Sequence, residues 1–190
     1  MANYFVHVAS YVDDGVFIGN GTEIWHFSHV QDGAQIGENC SIGHSVNIGK
    51  NVRIGHDCTI QSNVSVYEGI VLEDEVYLGS SMVFTNNLVP RAKRDKGHAT
   101  YKCTTVHKGA TIGANATVVC GNDIGKYAMV AAGAVVMKPV PDHALVAGVP
   151  AKKIGWVCEC GGILPYGLKC PKCGKQYRVE NGELKEEQHG

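Results

Sequence analysis

The sequence has little charge and almost none in excess. Of its 190 residues, 18% are Asp, Glu, Lys or Arg, and the net charge is -1. Soluble domains usually carry about 25%. A near-zero balance removes the electrostatic footprint of a nucleic-acid binder, so no nucleic-acid partner is expected. No apolar run approaches the ~20 residues that a membrane-spanning helix needs. Met1 to Ser10 lack a basic stretch followed by an apolar core, so they do not read as a secretory signal. A cytoplasmic protein without a membrane span is the expectation.

What is present is a beat. Every sixth position from Val12 is aliphatic or Phe: Val12, Ile18, Ile24, Val30, Ile36, Ile42, Ile48, Ile54, Ile60, Val66, Leu72, Leu78 and Phe84. The residue after it is often glycine, as at Gly19, Gly37, Gly43, Gly49, Gly55 and Gly79. Four places after each aliphatic stands a second inward-type side chain, as at Thr22, Ser28, Ala34, Cys40, Val46 and Cys58. A fixed period of this kind marks a repeat protein. Each hexad supplies a short strand ending on the aliphatic, then a turn where Gly or Asn takes positive φ at little cost. Three hexads close a three-sided coil of eighteen residues, so residues eighteen apart stack. Ile24, Ile42, Ile60 and Leu78 form one internal ladder; Ile18, Ile36, Ile54 and Leu72 a second; Val12, Val30, Ile48, Val66 and Phe84 a third. Coils bury their aliphatics against one another and none is stable alone.

The beat stops after Phe84 and resumes at Val106, continuing through Ile112, Val118, Ile124, Val130 and Val136. The offset of twenty-two is not a multiple of six, so residues 85–105 contain an inserted loop. That loop is basic: Arg91, Lys93, Arg94, Lys96 and Lys102 against Asp95. Long insertions in compact repeats tend to carry function. Pro139 and Pro141 end the solenoid, and after Trp156 the composition turns to Cys, Gly, Pro and Lys. The expected organisation is therefore an all-β solenoid domain over 1–156, capped by residues 1–11, and a small module over 157–190 with a frayed end.

The eight cysteines fall into two groups. Cys40 and Cys58 sit at the small inward position and read as buried hydrophobes, with Cys103 and Cys120 scattered. Cys158-Glu-Cys160 and Cys170-Pro-Lys-Cys173-Gly resemble the two knuckles of a zinc ribbon, a closed Cys₄ site that stabilises rather than catalyses. The first knuckle has one intervening residue where two are usual. A reducing compartment favours metal over disulfides here.

The hexads, followed by Gly148-Val149-Pro150-Ala151-Lys152, resemble the hexapeptide-repeat acyltransferases over about 12–156. The resemblance implies a left-handed parallel β-helix, against the usual right-handed crossover, and a homotrimer using acetyl-CoA. Ile24-Trp25-His26-Phe27, Gln61 to Tyr67, and Met82 to Asn86 with Pro90-Arg91 beyond are similar to a narrower group. These are the N-acetyltransferases of UDP-2-acetamido-3-amino-2,3-dideoxy-glucuronate, which serve surface polysaccharide synthesis. The resemblance implies a catalytic Asn86 beside the reacting amine; the alternative is that Asn86 supplies a positive-φ turn. His26 is the candidate general base, with the departing CoA sulfur as the competing proton acceptor. Gln61, Asn63, Tyr67, Thr85 and Arg91 are assigned to the sugar nucleotide. Arg91 suits a phosphate or carboxylate. Ala132, Lys138, Lys152 and Lys153 are assigned to acetyl-CoA. The alternatives are an N-acetyltransferase for another UDP- or dTDP-linked 3- or 4-amino sugar, a γ-type carbonic anhydrase using His26 and His44, and a non-catalytic scaffold.

Overall fold

A computed structural model describes residues 3–93 and 101–187. Every regular element in them is a strand, most only two residues long, and no helix is long and apolar enough to cross a membrane. The basic residues Arg94 and Lys96, with Asp95 and the terminal residues 188–190, lie outside the described residues.

The beat becomes three parallel sheets wrapped around one core. The first face stacks Ile24, Ile42, Ile60, Leu78, Ile112 and Val130. The second stacks Val12, Val30, Ile48, Val66, Phe84, Val118 and Val136. The third stacks Ile18, Ile36, Ile54, Leu72 and Val106, then Ile124 and Val140 by single bridges. As far as Leu78, Phe84 and Leu72 all three ladders run as the eighteen-residue spacing requires, and the last step, Ile124 to Val140, is shortened to sixteen. From Ile18 to Val140 these side chains are at most 6% exposed. The second inward residues fill the corners, and where they are polar they are bonded. Buried Thr22 donates its hydroxyl to Gly37 O at 2.8 Å and accepts from Cys40 N at 3.0 Å. Ser28 does the same between Gly43 O and Val46 N. Cys40 and Cys58 are buried as expected. The Cys58 thiol is held well above its usual range, by its bond with Cys40 and by burial.

Two residue sets share the work of each corner. The positive φ falls three places after the aliphatic, at Phe27, Gly33, Asn39, Ser45, Asn51, Asp57, Asn63 and onward, with φ of 55° to 88°. The glycine directly after the aliphatic is not the turn residue. It is bare because coils pass too closely there: a Cβ on Gly37 would lie 2.4 Å from Gly55 O, and one on Gly79 would lie 2.5 Å from Ala114 N.

Leu72 pairs with Val106, and Phe84 with Val118. Each step spans thirty-four residues instead of eighteen, so the insertion adds sixteen. Its return begins as the strand Thr104–Val106, which pairs with Ile70–Leu72. Register on all faces survives the excursion.

At the far end Ala144–Ala147 joins the first face beside Met129–Val130. The chain reverses through residues 148–151, and Lys152–Val157 runs back antiparallel with a register shift between Leu145 and Val146. This strand crosses the sequence-expected boundary at 156 and then pairs with Ile163–Leu164. His143 grips it twice: its backbone O accepts from Val157 N at 2.8 Å, and its Nδ1 lies 2.9 Å from Val157 O. Beyond it Cys158, Leu164, Cys170, Tyr177 and Leu184 form a second, small core, with Trp156 and Leu168 packed against it.

Candidate active site

A triangular coil has three edges, and the chemistry-bearing residues occupy two of them. On the edge leaving the second face, the eighteen-residue register puts Lys50, Glu68 and Asn86 in one column, and the same column continues through Cys120 to Lys138. Asn86 stands where the excursion departs. Its carbonyl accepts from Lys102 N at 3.0 Å, which ties the outgoing and returning strands together. Asn86 and Asn87 are not among the described residues with positive φ, although Asn87 stands at the corner position where every earlier hexad has one. The turn explanation of Asn86 therefore fails. The corner opens at this coil, and a cleft of about 430 Å³ lies beside it, lined by Gln31, Asn47, Gly49, Lys50, Tyr67, Glu68, Asn86 and Tyr101.

Farther along the same edge is a slot of about 370 Å³. Val136, Pro139, Val140, Pro141, Val146 and Pro150 make its apolar wall, and Lys138, Lys152 and Lys153 line it with them. Lys153 Nζ sits 2.9 Å from the centroid of the Trp156 ring, a cation–π contact, and desolvation lowers its pKa. Asn86 and Lys138 are two coils apart, about 10 Å at ~4.8 Å per strand. Between them the column passes Cys120, which is buried, and Lys102 lies beside Gly121.

His26 is on a different edge, the one leaving the first face. Its ring lies between His7, with centroids 3.5 Å apart, and His44, 4.9 Å away and inclined by 10°. Trp25 stacks on both His26 and His44. Desolvation lowers the His26 pKa, and the neighbouring His7 and His44 add to that. Its Nδ1 is buried without a hydrogen-bond partner. The stack with His44 follows from the spacing; His7 was not anticipated, because it precedes the first beat. His26 and His44 stack face to face while His7 is tilted by 32°, and among the described residues no three histidines gather their ring nitrogens as a metal site, so the carbonic-anhydrase alternative gains no support.

The other anticipated residues divide the same way. Gln61, Asn63 and Ala132 share the His26 edge. Asn63 has φ of 61° and donates its N–H to His44 O at 2.9 Å, so it serves the turn. Ala132 is exposed and stacks on Gly113. Tyr67 lines the Asn86 cleft. The Thr85 hydroxyl oxygen accepts from Cys120 N at 3.0 Å, a contact that holds adjacent coils together. Arg91 is exposed on the loop and donates to Pro90 O at 2.9 Å. Gln31, Asn47, Lys50, Glu68 and Tyr101 were missed. Counting back from Asn86 in eighteens would have found Glu68 and Lys50.

Cys158, Cys160, Cys170 and Cys173 bring their sulfurs within 4.8 Å of one another, with three of the pairs at 3.4–3.5 Å. Tetrahedral zinc with Zn–S bonds of ~2.3 Å sets its sulfurs about 3.8 Å apart, so the four thiols fit the ion. Burial pushes the Cys170 thiol up, but the backbone amides of Cys173 and Lys172 outweigh it and bring the pKa down to about 6. Tyr177 OH lies 3.1 Å from Cys158 Sγ and supplies a second shell. The single-residue spacing of the first knuckle does not prevent closure.

The fold defines the class: a three-sided parallel β-solenoid with clefts along one edge. The pattern of the bacterial transferase hexapeptide matches residues 15–50, and that of the hexapeptide repeat of succinyl-transferase matches 33–68, 45–81 and 104–138. The chain belongs to the hexapeptide-repeat family, and the gap between matches is the excursion. A dTDP-3-amino-3,6-dideoxy-alpha-D-galactopyranose 3-N-acetyltransferase of Aneurinibacillus thermoaerophilus is 48% identical over 81 residues, 42% of each chain. The chain thus spans less than half the length of the curated relatives it matches. A hexapeptide-repeat acetyltransferase of Vibrio cholerae, solved with acetyl coenzyme A, is 27% identical with a TM-score of 0.57, over 65% of this chain and 70% of that one. A UDP-N-acetylglucosamine acyltransferase of Bacteroides fragilis shares the fold at 19% identity and a TM-score of 0.64, over 82% of this chain and 62% of its own.

Proposed function

We propose that this chain is an acetyl-CoA-dependent N-acetyltransferase whose substrate is a nucleotide-linked amino sugar. The observation that carries this reading is the alignment of two clefts on one edge: an apolar, lysine-lined slot and, two coils away, a polar cleft at Asn86. The slot suits the adenine end and phosphates of CoA, met by Lys138, Lys152 and Lys153. The pantetheine arm then follows the edge towards Asn86. The sugar lies in the Asn86 cleft, with Tyr67 beside it and Arg91, on the segment that follows, assigned to its anionic group. Asn86 orients the amine or stabilises the oxyanion. The amine nitrogen attacks the thioester carbonyl, the carbon–sulfur bond breaks, and the amine proton leaves with the CoA thiolate or through His26.

His26, Gln61 and Ala132 lie on another edge of the same chain, so they contribute only if a second copy brings that edge against the first. A homotrimer supplies this arrangement. Acetyl-CoA as donor places the reaction in the cytoplasm. Cys158, Cys160, Cys170 and Cys173 would hold a zinc ion that supplies structure and no chemistry.

The sugar we favour is UDP-2-acetamido-3-amino-2,3-dideoxy-glucuronate, an intermediate of surface polysaccharides, because the motifs from Gln61 to Arg91 resemble those of its acetyltransferases. The 48% identity to a dTDP-linked 3-amino sugar enzyme favours a second reading in which dTDP replaces UDP. The deciding assay follows thiol release from acetyl-CoA against UDP- and dTDP-linked 3- and 4-amino sugars, with and without a C6 carboxylate. Turnover of the UDP uronate above the others supports the first reading, and turnover of the dTDP sugars the second. No turnover with any, and no acetyl-CoA binding, leaves the scaffold.

A further inference from the structure

The strand Lys152–Val157 belongs to the slot at one end and to the tail at the other. Lys152 and Lys153 line the slot, and Val157 leads directly into Cys158 of the four-thiol cluster. Trp156 stands at the junction. It pairs with Ala144 on the solenoid side and with Leu164 on the tail side. It packs against the small tail core, and its ring carries Lys153 Nζ at 2.9 Å from the centroid.

That contact needs an irregular strand. In a regular strand, residues an odd number of places apart point to opposite faces. Here Val146 pairs with Lys153 and Leu145 with Gly155, so Ile154 has no partner and is the extra residue of a β-bulge. Beyond it the alternation is shifted by one. Lys153 and Trp156 therefore share the face of their partners, Val146 and Ala144, which alternate normally on the unbulged strand. Without the bulge the ammonium and the ring would point away from each other. Lys153 is exposed, and ordering a free lysine on a ligand costs side-chain entropy. A ring that already seats the ammonium removes part of that cost and leaves its other N–H donors for a phosphate.

We propose that Trp156 is a positioning residue: it holds Lys153 for the nucleotide phosphates of acetyl-CoA and makes that grip depend on the folded tail. This rests on the acetyltransferase reading above and adds to it a coupling between the Cys cluster and the slot. Zinc held by the four thiols would fix the small core on which Trp156 rests; when that core loosens, Trp156 loses its support and Lys153 its seat. His143, whose backbone oxygen and Nδ1 hold Val157, keeps the strand itself on the solenoid. The affinity for acetyl-CoA then falls while the apolar wall of the slot stays in place.

The test is calorimetric titration of the full chain with acetyl-CoA. Trp156→Leu is expected to bind it about fivefold more weakly, a typical loss for one cation–π contact, and Trp156→Phe within about twofold of wild type. In a Lys153→Met background, Trp156→Leu has no further effect. Removing the metal with a chelator weakens the wild type at least as much as Trp156→Leu does, and adds nothing in Lys153→Met. Metal analysis checks that Trp156→Leu keeps its zinc; should it release the ion, the same cycle is read with Trp156→Met, an adaptable apolar replacement. Equal weakening in the wild-type and Lys153→Met backgrounds overturns the proposal, since Trp156 then supports the slot wall rather than the lysine. Metal-free protein that binds acetyl-CoA as tightly as the metal-bound form overturns the coupling. If the wild type does not bind acetyl-CoA, the acetyltransferase reading fails and this inference goes with it. If the wild type binds it and Trp156→Leu binds it equally well, the function stands and Trp156 is excluded.

Discussion

At the scale of single residues, the contrast between Asn86 and the other corner residues is the most informative. Asn39, Asn51 and Asn63 adopt positive φ and serve the turn; Asn86 does not, and it faces a cleft. Asn86→Ala is therefore expected to lower kcat by about a hundredfold, the usual loss for one polar stabiliser, with acetyl-CoA affinity and thermal midpoint unchanged. Near-normal turnover would remove Asn86 from the reaction. His26 makes a pH prediction. Desolvation first, then His7 and His44, hold its pKa below the ordinary ~6.5. On acidification through that value the unfolded chain takes up the proton before the folded chain does, so stability falls with falling pH. Thermal midpoints of His26→Phe, which keeps a ring in the stack, should fall less steeply than the wild type between about pH 7 and about pH 5.5. Catalysis reports separately: if the acid limb of the rate profile persists in His26→Ala, the CoA sulfur rather than the imidazole takes the proton.

At the scale of the coil, the two kinds of glycine separate experimentally. Gly37→Ala drives a Cβ into Gly55 backbone at 2.4 Å, an overpacking with no side chain to yield, and should cost about 3 kcal/mol or more. Gly133→Ala meets nothing within 4 Å but keeps a φ of 69°, a left-handed penalty of about 1–2 kcal/mol. Denaturant titration should rank them in that order; the reverse order would mean that turn geometry, not coil spacing, limits the repeat. The ladders were legible in the sequence because the residues that stack are the residues that repeat. Ile24, Ile42 and Ile60 announce the coil length by themselves. The insertion's start at Phe84 was equally plain, but its net length was not, since Thr104 and Thr105 look like loop and pair as strand. The site was harder to see. Lys138 shares an edge with Asn86 only once the excursion is discounted, and nothing in the order of residues tells which edge His26 occupies. Local pattern records stacking along the axis; the edges around it come from closure of the coil.

At the scale of the molecule, two predictions concern what lies beyond one solenoid. Light scattering should give three times the 20.3 kDa chain mass, as required if the His26 edge and the Asn86 edge complete one site; a monomer with full activity would assign the whole reaction to one edge. Metal analysis should find about one zinc per chain, lost in Cys170→Ser. That variant should become open to proteolysis beyond Val157 while the solenoid's circular dichroism persists. The small core around Leu164, Tyr177 and Leu184 has too few residues to hold without the ion. The sixteen-residue excursion also has an evolutionary consequence. Because it leaves every ladder in register, its length is decoupled from the core. Closing a loop a few residues longer costs only a few tenths of a kcal/mol. Substrate choice can therefore drift at the excursion while the core sequence stays fixed, and exchange of this one segment between relatives should transfer preference among nucleotide sugars without a penalty in folding.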